Sequence, residues 1–462
     1  MPGSPRAAVT LLLLAAAARP AAAGGLDLDL FGTRSIGRAG TAVVSGDGGT
    51  SILVNPAGLA RRSETRAQLG IAIHDADSTY QAPDAEAENS PIVRDRAQPV
   101  TAPSAGLATS LGPVVLGGAV LVAGSLESTL PSPQVGQPSA DVERLFPHRY
   151  GGLELDFRRR VVVLGAATRI GEWLGVGLAA GAADVTIGER RRLWAGFAGR
   201  TADEQVGAAA WDVDLSLRAT DDFVPLAAGG ILIAPPQLPL EMAAALTWSA
   251  DAYPDGKATL IGAGDAAPII IDTGAGAEVR VASPTTLRTG LRYLGERFIA
   301  EAGADLVWHR QGGKLPVWRV HDLAVRDVLS GRVDPIERVP SLAAVRDHVA
   351  LRGAVDVEAV PGLLWLTAGY AFATAGTSRT HVAPVFGDTG GHTLAVGAEA
   401  TWNLVTFTLG YARLIAATRT VSADQTAVDV VNPFDAGTAP AAPGRHGRAH
   451  DAVGLSVEVA WE

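Results

Sequence analysis

Residues 452–461 read Ala-Val-Gly-Leu-Ser-Val-Glu-Val-Ala-Trp, and they alternate without a break. In an extended chain Val453, Leu455, Val457, Val459 and Trp461 fall on one face, and Ala452, Gly454, Ser456, Glu458 and Ala460 on the other. A period of two over this length is the signal of a β-strand with two unlike faces. The pattern recurs upstream. Leu351, Val355 and Val357 oppose Arg352, Asp356 and Glu358; Leu394, Val396 and Trp402 oppose Thr393, Glu399 and Thr401; Leu287, Leu291 and Tyr293 oppose Arg288 and Arg292. After about Arg66 the whole chain reads this way.

Strand length and connection length separate the two architectures that share this pattern. Soluble sandwiches and propellers use strands of about 5–6 residues, whereas a strand crossing a bilayer needs about 9–11. Leu174 to Glu189, Gly391 to Trp402 and Leu404 to Ile415 are long runs. Tight connections fall at Gly112-Pro113, Gly171-Glu172, Pro235 to Pro239, Gly295-Glu296, Pro361-Gly362 and Asn403. Between them lie long polar segments at Ala76 to Pro103, Glu127 to Arg149, Arg190 to Ala208, Pro254 to Asp272, Arg310 to Arg346, Thr374 to Thr389 and Thr418 to Ala449. Short and long connections in alternation describe an all-β transmembrane antiparallel barrel with tight periplasmic turns and large external loops. Seven long loops and six tight turns give about fourteen strands. Asp212 to Ala234 and Ala275 to Tyr293, the latter interrupted by Pro284, each read as one long strand or two short ones. Tryptophans near segment ends (Trp173, Trp365, Trp402, Trp461) suit an interfacial belt.

Composition narrows the function classes. The 462 residues are 47% hydrophobic and 19% charged, with no cysteine and a net charge of -10. Disulfide scaffolds and thiolate chemistry are excluded, and a nucleic-acid partner would call for a basic face. Arg6, the apolar run Val9 to Ala18 and the small residues Ala21-Ala22-Ala23 form a signal-peptide pattern with cleavage near Ala23. The run is too short to cross a bilayer as a helix. The expected division is a leader at 1–23, a non-strand segment at 24–65 and a barrel at 66–462, in the outer membrane of a Gram-negative bacterium.

The segment before the barrel is Gly32 to Leu59, GTRSIGRAGTAVVSGDGGTSILVNPAGL. It is rich in Gly, Ala and Ser and ends in Asn55-Pro56-Ala57-Gly58. Proline fixes its own φ and biases Asn55 away from helix, and Gly58 can take φ above zero, so the four residues read as a rigid turn. Alone that is an ordinary loop. A barrel of fourteen strands, however, encloses a lumen too wide for wall side chains to fill. An obstruction would stop it leaking small solutes, and this segment reads as that plug.

With Gly32-Thr33-Arg34-Ser35-Ile36-Gly37-Arg38-Ala39-Gly40, the small-residue run around Asp47 and Asn55-Pro56-Ala57-Gly58-Leu59 in this order after a leader, the chain resembles the FadL/TodX family of outer-membrane channels for long-chain fatty acids and aromatic hydrocarbons. The hairpins Leu287 to Trp308 and His392 to Arg413 are also similar, so the likeness covers most of the mature chain. It implies a fourteen-stranded barrel plugged by an N-terminal hatch. The implied mechanism is capture of a hydrophobic small molecule near the external loops, transfer into the lumen, displacement of the hatch and exit through a gap in the wall. Gly37, Arg38, Asn55, Pro56, Ala57 and Gly58 would serve the hatch. The chain departs from many barrel proteins, which end on an aromatic residue, by ending Trp461-Glu462. The loop Arg310 to Arg346, with room for short helices, is a further elaboration.

On the alternation, Arg288, Arg292, Arg352, Asp356, Glu358, Glu399 and Glu458 face the lumen. A mutually paired, hydrated network is one reading, since lumen positions are generally polar. In the other, Arg288 and Arg352 pair a ligand carboxylate through charge-assisted bonds. Enzyme motifs are absent. His446 and His450 lie in a Gly-rich stretch read as loop, without an acid to complete a metal site. Gly175-Val176-Gly177 with Gly181 has the wrong spacing for a nucleotide loop and reads as close backbone packing. No G-x-S-x-G elbow occurs. Asp75 with Asp77, and Asp221 with Asp222, read as exposed loop charge rather than calcium ligands. The expectation is a non-enzymatic monomeric channel for passive, ligand-gated uptake, without metal or cofactor, whose partners are a hydrophobic ligand and outer-membrane lipid. The rivals are a structural or adhesive barrel whose loops bind a partner, and a soluble periplasmic β-protein.

Overall fold

The computed structural model describes residues 30, 32–46, 48–83, 91–134, 137, 139–195, 209–262, 270–311, 315–326, 331–434 and 439–461. The expected leader lies outside them. Fourteen antiparallel strands close into one barrel. In chain order they are β1 (Thr65–Gln81), β2 (Val100–Leu111), β3 (Val114–Thr129), β4 (Glu154–Ile170), β5 (Leu174–Trp194), β6 (Asp212–Ile233) and β7 (Leu240–Ser249). Then follow β8 (Pro284–Leu294), β9 (Phe298–His309), β10 (His348–Val360), β11 (Leu364–Ala373), β12 (Gly391–Trp402), β13 (Val405–Ala416) and β14 (Gly444–Trp461). Each pairs with its sequence neighbour among these, and β14 closes on β1 from Thr65↔Trp461 to Gln81↔Arg445. Closure leaves no barrel strand with an unpaired edge, the condition for a sheet in lipid.

The alternation sorts as expected. Leu69, Leu164, Leu394, Val396, Val453 and Leu455 are exposed on the outer face, where lipid tails take the place of water. Trp173, Trp402 and Trp461 are exposed at the tight-turn end, and Trp248 and Trp308 near the other end of their strands. These rings mark two rims of the apolar band, the place where an amphipathic ring is favoured.

Both ambiguous segments are resolved by proline. Asp212–Ile233 is one strand. Its Pro225 sits where β6 changes partner, between Thr220↔Asp255 and Leu226↔Ser249, so on that side the missing N–H breaks no ladder bond. Ala275 to Tyr293 is two elements, because Pro284 opens β8 while residues 270–278 belong to an external strand.

Outside the membrane the wall continues. The upper half of β6 pairs with Asp255–Gly262, which pairs with Ile270–Glu278, which pairs with Val317–Arg326. The Arg310 to Arg346 segment thus differs from the expected short helices: its described residues hold a strand at Val317–Arg326 and two short ones at Val333–Pro335 and Arg338–Pro340. Its apolar period of two changes phase at Asp322, whose φ of 58° lies in the left-handed region. Trp318 and Val320 before it, and Leu323 and Val325 after it, are all buried. The parity break is what hides a strand in the sequence.

External loops fold inward as a roof. Glu189 at the top of β5 accepts Leu342 N–H at 3.0 Å, Trp194 N–H donates to Val431 O at 3.1 Å, and Ala427 N–H to Thr380 O at 2.6 Å. Leu342, Val385, Phe386 and Ala442 are buried beneath these bonds.

Candidate functional site: the hatch and the lumen above it

The described residues of Gly32 to Arg61 lie inside the barrel, packed on its inner wall. A short helix, α1 (Thr33–Gly37), rests against β12, β13 and β14. It can lie that close because the wall lacks side chains there. Gly397, Gly410 and Gly454 are aligned across the three strands. A Cβ on Gly410 would stand 2.6 Å from Thr33 O, and one on Gly454 2.8 Å from Ile36 Cδ1. Gly37 meets the same constraint from the hatch side, its own Cβ position being 2.9 Å from Gly397 Cα. Gly177 inside β5 does the same for Ala57, with a would-be Cβ 2.5 Å from Ala57 N. That glycine cluster is therefore close backbone packing, as its spacing suggested.

Arg38 follows α1 and is almost wholly buried. Its guanidinium donates to Glu301 Oε2 of β9 at 2.7 Å and to Asp356 Oδ2 of β10, and its Nε donates to Thr41 O at 2.8 Å. Glu301 Oε1 also accepts Val44 N–H at 2.9 Å, and Asp356 Oδ1 accepts the Thr367 hydroxyl at 2.8 Å. One cation from the hatch is thus held by two wall carboxylates whose remaining oxygens are also bonded. Such charge-assisted bonds are the strong class.

Asn55 to Gly58 forms a second anchorage. Asn55 is extended (φ -157°, ψ 105°) and caps the 3₁₀ helix Pro56–Arg61, its Oδ1 accepting Ala57 N–H at 3.0 Å. Its Nδ2 donates to Val43 O at 2.9 Å and to Ile231 O of β6 at 3.3 Å. Gly58 departs from the expectation of a positive φ; it continues the helix, with its N–H bonded to Asn55 O at 3.1 Å. The rigidity comes from the Asn55 cap and from Pro56 at the helix start, where a missing N–H removes nothing. Arg61 then donates two bonds of 2.8 Å to Glu241 of β7 and one of 2.6 Å to Val44 O.

The lumen arginines lie on the inner side, as alternation requires, and those with described partners are joined to the hatch or its clamps. Arg352 donates to Asp305 Oδ2 at 2.7 Å and to Ala39 O at 2.9 Å. Arg288 donates to the Thr247 hydroxyl at 3.3 Å, and that hydroxyl donates to Leu53 O at 2.9 Å. Arg292 donates to Glu241 Oε2 at 3.3 Å. Glu399 faces Arg34 at 3.4 Å. Glu358 lies at the rim, where it accepts Gly362 N–H in the tight turn. Glu458 and Glu399 border a polar recess of about 120 Å³ beside the hatch, with Arg34, Thr50 and Gln68. Sequence reasoning identified the lumen charges but not the acids Glu241, Glu301 and Asp305 that complete the clamps. Their signal was the same alternation, read on β7 and β9.

Above the hatch the lumen has two characters. Leu121, Val161, Val163, Val185, Leu217 and Leu226 give β3 to β6 an apolar inner face. His74 on β1, Asp305 on β9, His348 and Arg352 on β10, and Arg448 and His450 on β14 are polar inner positions on other strands. His446 and His450 differ from the loop assignment, since both lie on β14. Asp75 and Asp77 are likewise on β1, and Asp221 holds a chain connection by accepting Tyr253 N–H at 2.8 Å.

No family model matches the sequence, and no curated protein matches it. Solved structures do resemble it. A Pseudomonas aeruginosa FadL homologue superposes with a TM-score of 0.71 at 14% identity, covering 95% of this chain and 100% of its own. The P. putida toluene transporter TodX gives 0.65 at 14%, covering 94% and 100%. The Ralstonia pickettii toluene transporter TbuX gives 0.62 at 14%, covering 94% and 99%. At this identity the likeness establishes the fold, and over nearly its whole length this chain has the fold of the FadL and TodX outer-membrane barrels.

Proposed function

We infer that the protein is an outer-membrane channel through which hydrophobic small molecules, long-chain fatty acids or aromatic hydrocarbons, enter the cell passively. The observation that carries this reading is an intact barrel obstructed by a separate internal segment whose clamps are polar and therefore exchangeable. The likeness to the toluene transporters TodX and TbuX supports it. Burial of apolar ligand surface, at roughly 25 cal/mol per Å², drives capture on the β3 to β6 face, and no covalent step is needed. Gly37, Arg38 and Asn55 to Gly58 hold the closed state. Ligand gating follows if an arriving ligand weakens those clamps. Arg352 joins lumen to hatch directly, so a carboxylate competing with Asp305 would be felt at Ala39. Exit through the wall would deliver the ligand to the membrane rather than to water.

Whole-cell uptake of labelled oleate and toluene tests the reading: wild type accumulates at least one of them, and absence of both refutes it. Deleting residues 32–59 raises permeability to small polar solutes; wild-type leakage in correctly assembled barrels would overturn the plug assignment. Arg288→Ala and Arg352→Ala, with fatty-acid binding measured, decide whether either arginine meets ligand. Unchanged affinity in both leaves them as hatch supports only.

A further inference from the structure

The outer wall of β4, β5 and β6 carries a cluster of cations immediately above the apolar band. Along β4 the outward row runs Leu164, Val162, Arg160, Arg158, so lipid-facing apolar side chains give way to charge within one step of the pleat. On β6 the change comes after Phe223, which is 71% exposed. The tight turns lie at the other end of these strands, which puts the cluster on the external rim.

Strand register sets its layout. Arg158 is level with Thr186 of β5 and Thr220 of β6, while Gly188 of β5 is level with Arg218 of β6 and Lys257 of the external strand. Arg158, Arg218 and Lys257 are exposed and border a shallow floor made by Gly188 and by the Thr186 and Thr220 hydroxyls, which lie 3.3 Å apart. Arg160, nearer the membrane, is held by Asp184 at 2.8 Å, and Arg218 meets Asp156 through a single nitrogen at 3.3 Å. Arg158 and Lys257 make no hydrogen bond or ion pair among the described residues. Arg218 and Lys257 are also cross-strand partners, and like charges directly opposite each other repel. Elsewhere on the same rim the balance is reversed. Asp75 and Asp77 of β1 and Asp451 of β14 stand just above their apolar runs, and the one arginine beside them, Arg413 of β13, is held by Asp451 at 3.2 Å.

An anion among Arg158, Arg218 and Lys257 relieves the repulsion, and the guanidinium fork matches phosphate geometry. The height of the cluster names the source of that phosphate. It lies at the head-group level of the outer leaflet, where phosphorylated glycolipids carry their charge above their acyl chains. Val162, Leu164 and Phe223 lie beneath to receive such chains, and the threonine hydroxyls beside Gly188 offer hydrogen bonds to a sugar. We propose that Arg158, Arg218 and Lys257 seat the phosphate of an outer-leaflet glycolipid against the outside of the barrel, its acyl chains packed on Val162, Leu164 and Phe223. This goes beyond the uptake reading and rests on the outer-membrane barrel, not on what the lumen carries.

The test measures binding of bisphosphorylated lipid A, and of lipid A stripped of its phosphates, to the purified full-length protein in neutral detergent by native mass spectrometry. Each cation at an anionic lipid surface contributes a factor of about five, so the triple variant Arg158→Gln, Arg218→Gln, Lys257→Gln loses roughly a hundredfold in affinity for phosphorylated lipid A. Its binding of the stripped lipid is unchanged, and Arg413→Gln binds both lipids as wild type does. Unchanged affinity in the triple variant, or an equal loss for the stripped lipid, would overturn the seat. An equal loss in Arg413→Gln would overturn it too, by showing an effect of overall charge. Displacement of lipid A by equimolar inorganic phosphate would mark a free-anion site and refute the lipid assignment. Oleate and toluene uptake is a separate readout: its absence in wild type sinks the uptake reading and leaves the seat standing.

Discussion

Replacing Arg38 with leucine separates the hatch from the barrel energetically. The side chains of Arg38, Glu301 and Asp356 are 1%, 0% and 5% exposed, so the clamp is dry. Removing the cation leaves two carboxylates facing each other beneath the docked hatch. Breaking a buried pair on one side costs about 3–5 kcal/mol. Here that cost falls on the docked state alone, because both acids belong to the wall and gain water when the hatch moves away. The ratio of displaced to docked hatch rises by roughly two to three and a half orders of magnitude, at about 1.4 kcal/mol per tenfold. Strand pairing is untouched, so the barrel assembles. In planar bilayers, purified Arg38→Leu shows frequent open events and a higher mean conductance than wild type. Adding Glu301→Gln and Asp356→Asn to Arg38→Leu restores most of the closure, since removing a buried pair entirely is far less harmful than orphaning half of it. A single variant as closed as wild type, or a triple variant as open as the single, would show that charge in this clamp does not hold the hatch.

Other positions give further expectations. Gly369→Val inserts a Cβ 2.4 Å from the carbonyl carbon of Arg38, which loosens the hatch by about 1–3 kcal/mol and exposes residues 32–59 to limited proteolysis in an intact barrel. Leu164→Arg, on the lipid face of β4, lowers unfolding stability in bilayers by about 2–4 kcal/mol if the residue is near the midplane, with conductance unchanged. His148 in the external roof is buried against Pro131 O at 2.8 Å, and burial, aided by Arg149, pulls its pKa down from 6.5 to about 4 despite that bond. Its folded pKa lies below its unfolded one, so the roof keeps its full stability above about pH 6.5. That stability is lost as pH falls toward 4, by about 3 kcal/mol at 1.36 kcal/mol per unit. Protease nicking of the roof loops therefore increases over that window, and His148→Gln flattens the dependence.

The barrel was legible because two periodicities agree: residues alternate in the strands, and connections alternate between tight and long. The six tight turns lie where proline, glycine and Asn403 put them. Asn403 itself takes a φ of 54°, which asparagine tolerates better than most residues. Legibility ends at the membrane boundary. Above it the strands continue without a lipid face to enforce apolar alternation, so Gly444 to Ala449 reads as loop although it is the start of β14. The phase change at Asp322 conceals another strand in the same way. At the hatch, Arg38 and Arg61 are conspicuous in a Gly-rich run, but their partners lie far along the chain, at Asp356, Glu301 and Glu241. Only the closed register of β7 to β10 brings those acids to the right height.

The wall glycines bear on how the proposed plug could be held firmly and yet be displaced. Gly397 and Gly410 let α1 approach the strands at backbone distance, and Gly454 leaves room for the Ile36 side chain, so no wall side chain projects between helix and strands at these three positions. Flat contact of this kind resists leakage, but a sliding or tilting segment breaks few specific contacts across it. Retention is therefore concentrated in a few polar clamps, Arg38 with Glu301 and Asp356, Arg61 with Glu241, and Asn55 with Ile231. Charge-assisted bonds of that sort weaken sharply when water or a competing charge reaches them, whereas the hydrogen-bond ladders of the wall persist. On the proposed reading, a ligand that disturbed one clamp would move the hatch while the barrel remained as it was. Permeation by the proposed route would need the two parts to differ in stability, and their division between side-chain clamps and backbone ladders would supply that difference.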